Sequence, residues 1–127
     1  MDANAITHEV IGAAIRIHSA LGPGLLESAY RACLRRELAL KKFRYQTEVA
    51  LPITYLGETT DVGYRVDLLV EDIVVVEVKA IARLLPVHES QLLSYLRLSG
   101  RPVGLLINFH VRQLRHGITR MVNNFRE

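Results

Sequence analysis

Gly63-Tyr64-Arg65-Val66-Asp67-Leu68-Leu69-Val70-Glu71-Asp72-Ile73-Val74-Val75-Val76-Glu77-Val78-Lys79 holds two apolar runs, Tyr64 to Val70 and Ile73 to Lys79, on either side of a polar Glu71-Asp72. That pattern reads as a β-hairpin. The charges Asp67, Glu77 and Lys79 lie inside the runs. A charge in a strand buried on both faces costs several kcal/mol unless it is paired or liganded, so these three need partners.

Alternation along a strand sends Glu77 and Lys79 to one side and Val74, Val76 and Val78 to the other. The register decides where Asp67 goes. A two-residue Glu71-Asp72 turn would set Asp67 opposite Val76, whereas a three-residue loop, Glu71 to Ile73, sets it opposite Glu77. Tight two-residue turns favour Gly or Asn at positive φ, and the absence of glycine favours the longer loop. Asp67, Glu77 and Lys79 are therefore expected on one face. Two adjacent carboxylates repel, and a hard divalent cation such as Mg²⁺ offsets that better than one ammonium. A plain buried Lys–carboxylate pair, with Asp67 reaching solvent, is the alternative.

Outward from the hairpin, the 127 residues are half apolar, without repeat or linker, and read as a single domain over 1–127. One cysteine, Cys33, excludes an internal disulfide and any multi-cysteine metal cluster. No signal peptide is expected because Asp2 and Glu9 interrupt the amino end, and no apolar run reaches membrane length, so a cytoplasmic protein is the default. The net charge of +3, with its excess after Gly63, permits a polyanionic partner. A mean hydropathy of +0.17 suggests exposed apolar surface that a homodimer would cover.

Residues from about Ala5 to Leu21 carry Ile6, Val10, Ala13, Ala14, Ile17 and Leu21 at helical spacing, with Asp2 or Asn4 as cap. His8 and His18 in this helix read as partly exposed side chains. Gly22-Pro23-Gly24 ends it but lacks the features of a phosphate loop. A second helix, about Leu25 to Leu40, should bury Leu26, Ala29 or Tyr30, Cys33, Leu34 and Leu38 and leave Arg31, Arg35, Arg36 and Glu37 in solvent. Glu27 suits the first turn through the helix dipole; a metal carboxylate is its other reading. Tyr45 to Tyr55 reads as a strand interrupted by Pro52.

After the hairpin, a helix from about Pro86 to Ser99 should bury Leu92, Leu93 and Leu96. His88, Gln91 and Tyr95 share its polar side, which matters only if that side overlooks the hairpin carboxylates. Val103 to Phe109 reads as a central strand. From His110 to Glu127 the pattern is weak, a small hairpin or a last helix. Arg112, Arg115, Arg120 and Arg126 make it basic, as ordinary surface or as phosphate contacts.

The order helix, helix, three strands, helix, strand gives an α/β (α+β) mixed sheet, and the spacing Asp67…Glu77-Val78-Lys79 resembles the PD-(D/E)XK, restriction-endonuclease-like nuclease superfamily. Gln91-Leu-Leu-Ser-Tyr95 is similar to the Gln-x-x-x-Tyr helix motif of RecB-like members. Gly24-Leu-Leu-Glu27-Ser-Ala-Tyr30, the Leu21-Gly-Pro-Gly24 turn and Gly104-Leu-Leu-Ile-Asn108-Phe109 resemble the landmarks of the GxxExxY family within that superfamily.

The resemblance implies a nuclease of DNA or RNA. It implies Mg²⁺ or Mn²⁺ held by Glu27, Asp67 and Glu77 with the Val78 carbonyl. Lys79 would ready the attacking water, and Gln91 and Tyr95 would support the metal site or a phosphate. A non-catalytic module that binds nucleic acid or protein is the competing expectation; the domain is minimal and carries no separate reading element, so a protein partner would be needed for its natural substrate.

Overall fold

The computed structural model describes residues 1–124, so Arg126 of the basic tail lies outside the described residues. Helix α1, Ala3–Leu21, starts at Asp2, whose carboxylate accepts the Ala5 N–H at 2.8 Å. It buries Ile6, Val10, Ala13, Ala14 and Ile17 as its periodicity predicts. His18 departs from expectation: it is buried, and its Nε2 lies 2.7 Å from the Val111 carbonyl. Leu21 is instead 46% exposed, past the last turn that packs.

Helix α2, Glu27–Leu40, buries Tyr30, Leu34 and Leu38, while Cys33 is only partly covered. Leu26, expected inside, is the helix's amino-terminal cap residue and 77% exposed.

Strand β1 is Tyr45–Ala50. Pro52 does more than interrupt it: Ile53–Tyr55 and Glu58–Thr60, β2 and β3, form a separate two-stranded ribbon. The hairpin follows as β4, Arg65–Val70, and β5, Val74–Lys79. Helix α3, Pro86–Ser99, leads to β6, Val103–Asn108, and a 3₁₀ turn at Leu114–Gly117 leads to β7, Ile118–Val122. This resolves the open reading of the tail: the last element is a strand antiparallel to β6.

The main sheet runs β1-β4-β5-β6-β7, with β5 and β6 parallel and the other neighbours antiparallel. α1 and α2 cover one face, where they meet Leu68, Val70, Val74, Val76, Val78 and the outward-alternating residues of β6. α3 covers the other through Leu92, Tyr95 and Leu96 against Val66, Leu69, Val75 and Leu106. Tyr95, read as part of a wet side, is buried in that layer, and Leu93 is only half-buried in its place. Gly104 permits the close approach of α3, since a Cβ there would meet Leu92 at 2.8 Å.

Burial of β4, β5 and β6 on both faces matches their near-continuous apolar composition. The result is a mixed α/β protein of three layers with the hairpin at its centre. Among the described residues no helix is long and apolar enough to cross a membrane.

Candidate acidic site at the hairpin mouth

The hairpin pairs Leu68 with Val76, Leu69 with Val75 and Val70 with Val74, so the loop is the three-residue Glu71–Ile73. Continuing that register sets Asp67 opposite Glu77, as the longer-loop reading requires. Ladder pairing stops at Leu68, and the two carboxylates take over. Glu77 Oε2 accepts the Asp67 N–H at 2.8 Å, and Asp67 Oδ2 accepts the Val78 N–H at 2.8 Å. Each acid thus replaces a lost ladder bond of the other strand. The second oxygen of Asp67 faces Arg31, whose Nη1 lies 3.8 Å away.

Burial sets the electrostatics. Glu77 is 5% exposed, and its pKa is raised to about 8, first by desolvation and then by the Asp67 charge. The Asp67 N–H, Lys79 and Arg31 oppose this without cancelling it. Desolvation also raises Asp67, against the Val78 N–H, Arg31 and Lys79. Lys79 acts on both acids through its field. Its strand is locked beyond it, where the Phe109 N–H donates to the Lys79 carbonyl at 2.9 Å. The buried Asn108 side chain brackets Ile81, accepting its N–H and donating to its carbonyl.

From one face α2 supplies Glu27 and Arg31. Arg31, which its helical position suggests is solvated, lies 3.5 Å from Glu27 and 3.8 Å from Asp67. Its spacing of four from Glu27 was the signal available in the sequence; its proximity to Asp67 was not. Tyr30, the last residue of the Gly24-x-x-Glu27-x-x-Tyr30 spacing, explains that spacing structurally. Its ring stacks on Phe109 with centroids 4.3 Å apart, while its hydroxyl donates to the Gly22 carbonyl at 2.6 Å and accepts the Leu25 N–H at 3.2 Å. The tyrosine pins the turn from which Glu27 starts the helix.

From the opposite face α3 supplies Tyr95, whose hydroxyl pKa is raised by burial and then by Glu77, Tyr64 and Asp67. Of the polar side of α3, Tyr95 is the residue that feels the charge of the carboxylates. Gln91 is exposed and lines a cleft beside Tyr95. His88 stands apart: its Nδ1 accepts the Leu85 N–H at 2.8 Å and caps the helix. Tyr64, not singled out by the sequence, packs on Tyr95 with ring centroids 5.9 Å apart.

The structure brings Asp67 and Glu77 together, with Lys79, Arg31 and Tyr95 around them. Glu27 meets Asp67 only through Arg31. Among the described residues no three His, Cys, Asp or Glu side chains lie close enough to form a metal-ligand group. The donor chemistry nonetheless fits a hard cation: two adjacent oxygen ligands, one desolvated and lacking sufficient positive charge.

A mixed sheet between helical layers, with the buried Glu77 and half-buried Asp67 interlocked where its central hairpin opens, defines an α/β domain with an acidic centre. A family model for the PD-(D/E)XK nuclease superfamily matches residues 4–121, and the chain belongs to that superfamily. Searches of curated proteins and of solved structures gave no significant match. Nucleases of this superfamily generally use divalent metals.

Proposed function

We propose that the chain is a metal-dependent phosphodiesterase that cuts DNA or RNA, within the GxxExxY branch of its superfamily. One observation carries the reading: Glu77 is buried and interlocked with the half-buried Asp67, yet the nearby cations leave Glu77 with a pKa of about 8. A structural ion pair would be expected to lower that value; a site awaiting a further cation would not.

Asp67 and Glu77, with the Val78 carbonyl, are the groups that would hold Mg²⁺ or Mn²⁺. The chemistry supplied by such an ion is a lowered pKa for its water and neutralisation of charge on the scissile phosphate. Lys79, two residues from Glu77 on the same side of β5, positions the water and stabilises the charge that develops at phosphorus. Glu27 completes the ligand set when Arg31 releases it, and Arg31 is then available to the phosphate. Tyr95 and Gln91 hold the opposite wall.

A second reading, a binding module without turnover, is favoured by Arg31, whose guanidinium already lies between two of the carboxylates. Calorimetric titration with Mg²⁺ and Mn²⁺, together with cleavage assays on DNA and RNA, separates the two. The nuclease reading expects binding below millimolar metal and divalent-dependent cleavage, both lost in Glu77→Gln. Absence of binding at millimolar metal supports the module, and cleavage unchanged in Glu77→Gln excludes this site.

A further inference from the structure

On the α3 side of the sheet, with Tyr95 in its wall, lies a cleft of about 510 Å³, within the range of sites that hold a small ligand or one unit of a polymer. Its walls are Tyr64 from the lead-in to β4, Gln91, Ser94, Tyr95 and Arg97 from α3, and Ile53 from the β2–β3 ribbon. Tyr95 is buried, but Tyr64 is 40% exposed. The two rings are tilted by 51° and do not stack face to face, so Tyr64 is not sealed by its neighbour. Its backbone is anchored: the Leu51 N–H donates to the Tyr64 carbonyl at 2.9 Å, and the Arg65 guanidinium donates to the same oxygen at 2.9 Å. An exposed aromatic on a fixed backbone loses little conformational freedom when it is covered.

We infer that this cleft is a nucleobase site, in which Tyr64 stacks on an unpaired base of the strand whose phosphate reaches Asp67 and Glu77. The inference rests on the nuclease reading for the identity of the polymer and adds to it a preference for single-stranded or frayed nucleic acid. Three features select a base over a peptide or an aliphatic ligand. The platform is an aromatic ring, which accepts the face of any base. Gln91, Ser90 and Ser94 offer donors and acceptors around it, suited to the polar edge of a base. Arg97 adds a positive charge at the wall, complementary to the phosphate that follows the base. The cleft also meets the acid pair through Tyr95, whose hydroxyl feels the charge of Glu77 and Asp67. A base inside a duplex is stacked on both faces and cannot reach such a platform without leaving the helix.

The test is fluorescence anisotropy with end-labelled single-stranded DNA, single-stranded RNA and duplex DNA, in EDTA so that no strand is cut. Wild-type protein, Tyr64→Ala and Tyr64→Phe are compared, with an oligonucleotide of abasic residues as a further probe. The expected result is tighter binding of single strands than of duplex. Tyr64→Ala should weaken it by roughly 5- to 100-fold, the range for losing one stacked base, while Tyr64→Phe retains it. The abasic strand should bind wild type as weakly as the base-bearing strand binds Tyr64→Ala. Equal affinity for single and double strands, no measurable binding of single strands, or a Tyr64→Ala variant that binds like wild type overturns the inference. Circular dichroism of Tyr64→Ala checks that a loss is not unfolding; should that variant unfold, the abasic probe on wild type decides alone. The underlying reading fails differently: Tyr64-dependent binding with no divalent-dependent cleavage leaves the base site standing and removes the nuclease, and cleavage without Tyr64-dependent binding does the reverse.

Discussion

Glu77 is a carboxylate in a place that disfavours its charge, and its pH behaviour follows from that. Its ordinary pKa of 4.5 rises to about 8 in the folded chain through burial and the Asp67 charge. The folded state therefore keeps a proton that the unfolded state has released. The associated stabilisation is complete below about pH 4.5 and is lost as pH climbs to about 8, on the order of 5 kcal/mol in all. Asp67 is shifted in the same direction and adds to the slope. Glu77→Gln abolishes the titration yet keeps an acceptor for the Asp67 N–H. Urea unfolding midpoints in EDTA between about pH 5 and pH 8.5 should fall steeply for wild type and far less for Glu77→Gln, the residual fall belonging to Asp67. Parallel slopes would mean that the proton resides elsewhere.

At the scale of elements, contacts distant in sequence decide what local pattern leaves open. The hairpin register was legible because strand parity and the two acids leave few choices. Its reason was only partly so: Glu71 and Asp72 take positive φ, 52° and 58°, although neither is glycine. Arg44 holds Glu71 from 27 residues away, and Arg101 holds Asp72 from 29, and no local window contains such partners. The role of Arg31 was hidden for the same reason, and so was the burial of Tyr95, which its helical spacing set on a wet side, while Asp67 and Glu77 were legible as charges placed at odds with apolar runs. The β2–β3 ribbon and β7 were not, since short strands are defined by what they pair with. The 3₁₀ turn that launches β7 seats Gly117 against the end of β6, where a Cβ would land on the Asn108 carbonyl oxygen. That oxygen is backbone and cannot swing aside, and the Asn108 side chain brackets the segment after Lys79. Gly117→Ala should therefore cost at least about 2 kcal/mol, in the range for overpacked cores, read as a lowered thermal midpoint. An unchanged midpoint would place the turn away from β6.

For the whole molecule, the acid pair lies where three layers converge: β4 and β5 provide the acids, α2 reaches them through Arg31, and α3 through Tyr95. A cation bound there is linked to folding of all three layers, because the unfolded chain does not hold the two carboxylates together. At a hundred times its dissociation constant such a ligand stabilises the folded state by about 2.7 kcal/mol. For 127 residues this is a rise in thermal midpoint on the order of 10 °C. The gain must grow with pH, since the ion displaces the proton that Glu77 retains up to about pH 8. Thermal unfolding of wild type in Mn²⁺ or Mg²⁺ against EDTA should thus show a larger rise near pH 8.5 than near pH 6, and little rise at either pH in Glu77→Gln. A rise of equal size in the variant would locate the cation on another part of the surface, and no rise in wild type at either pH would leave the buried acids to Arg31 and Lys79 alone.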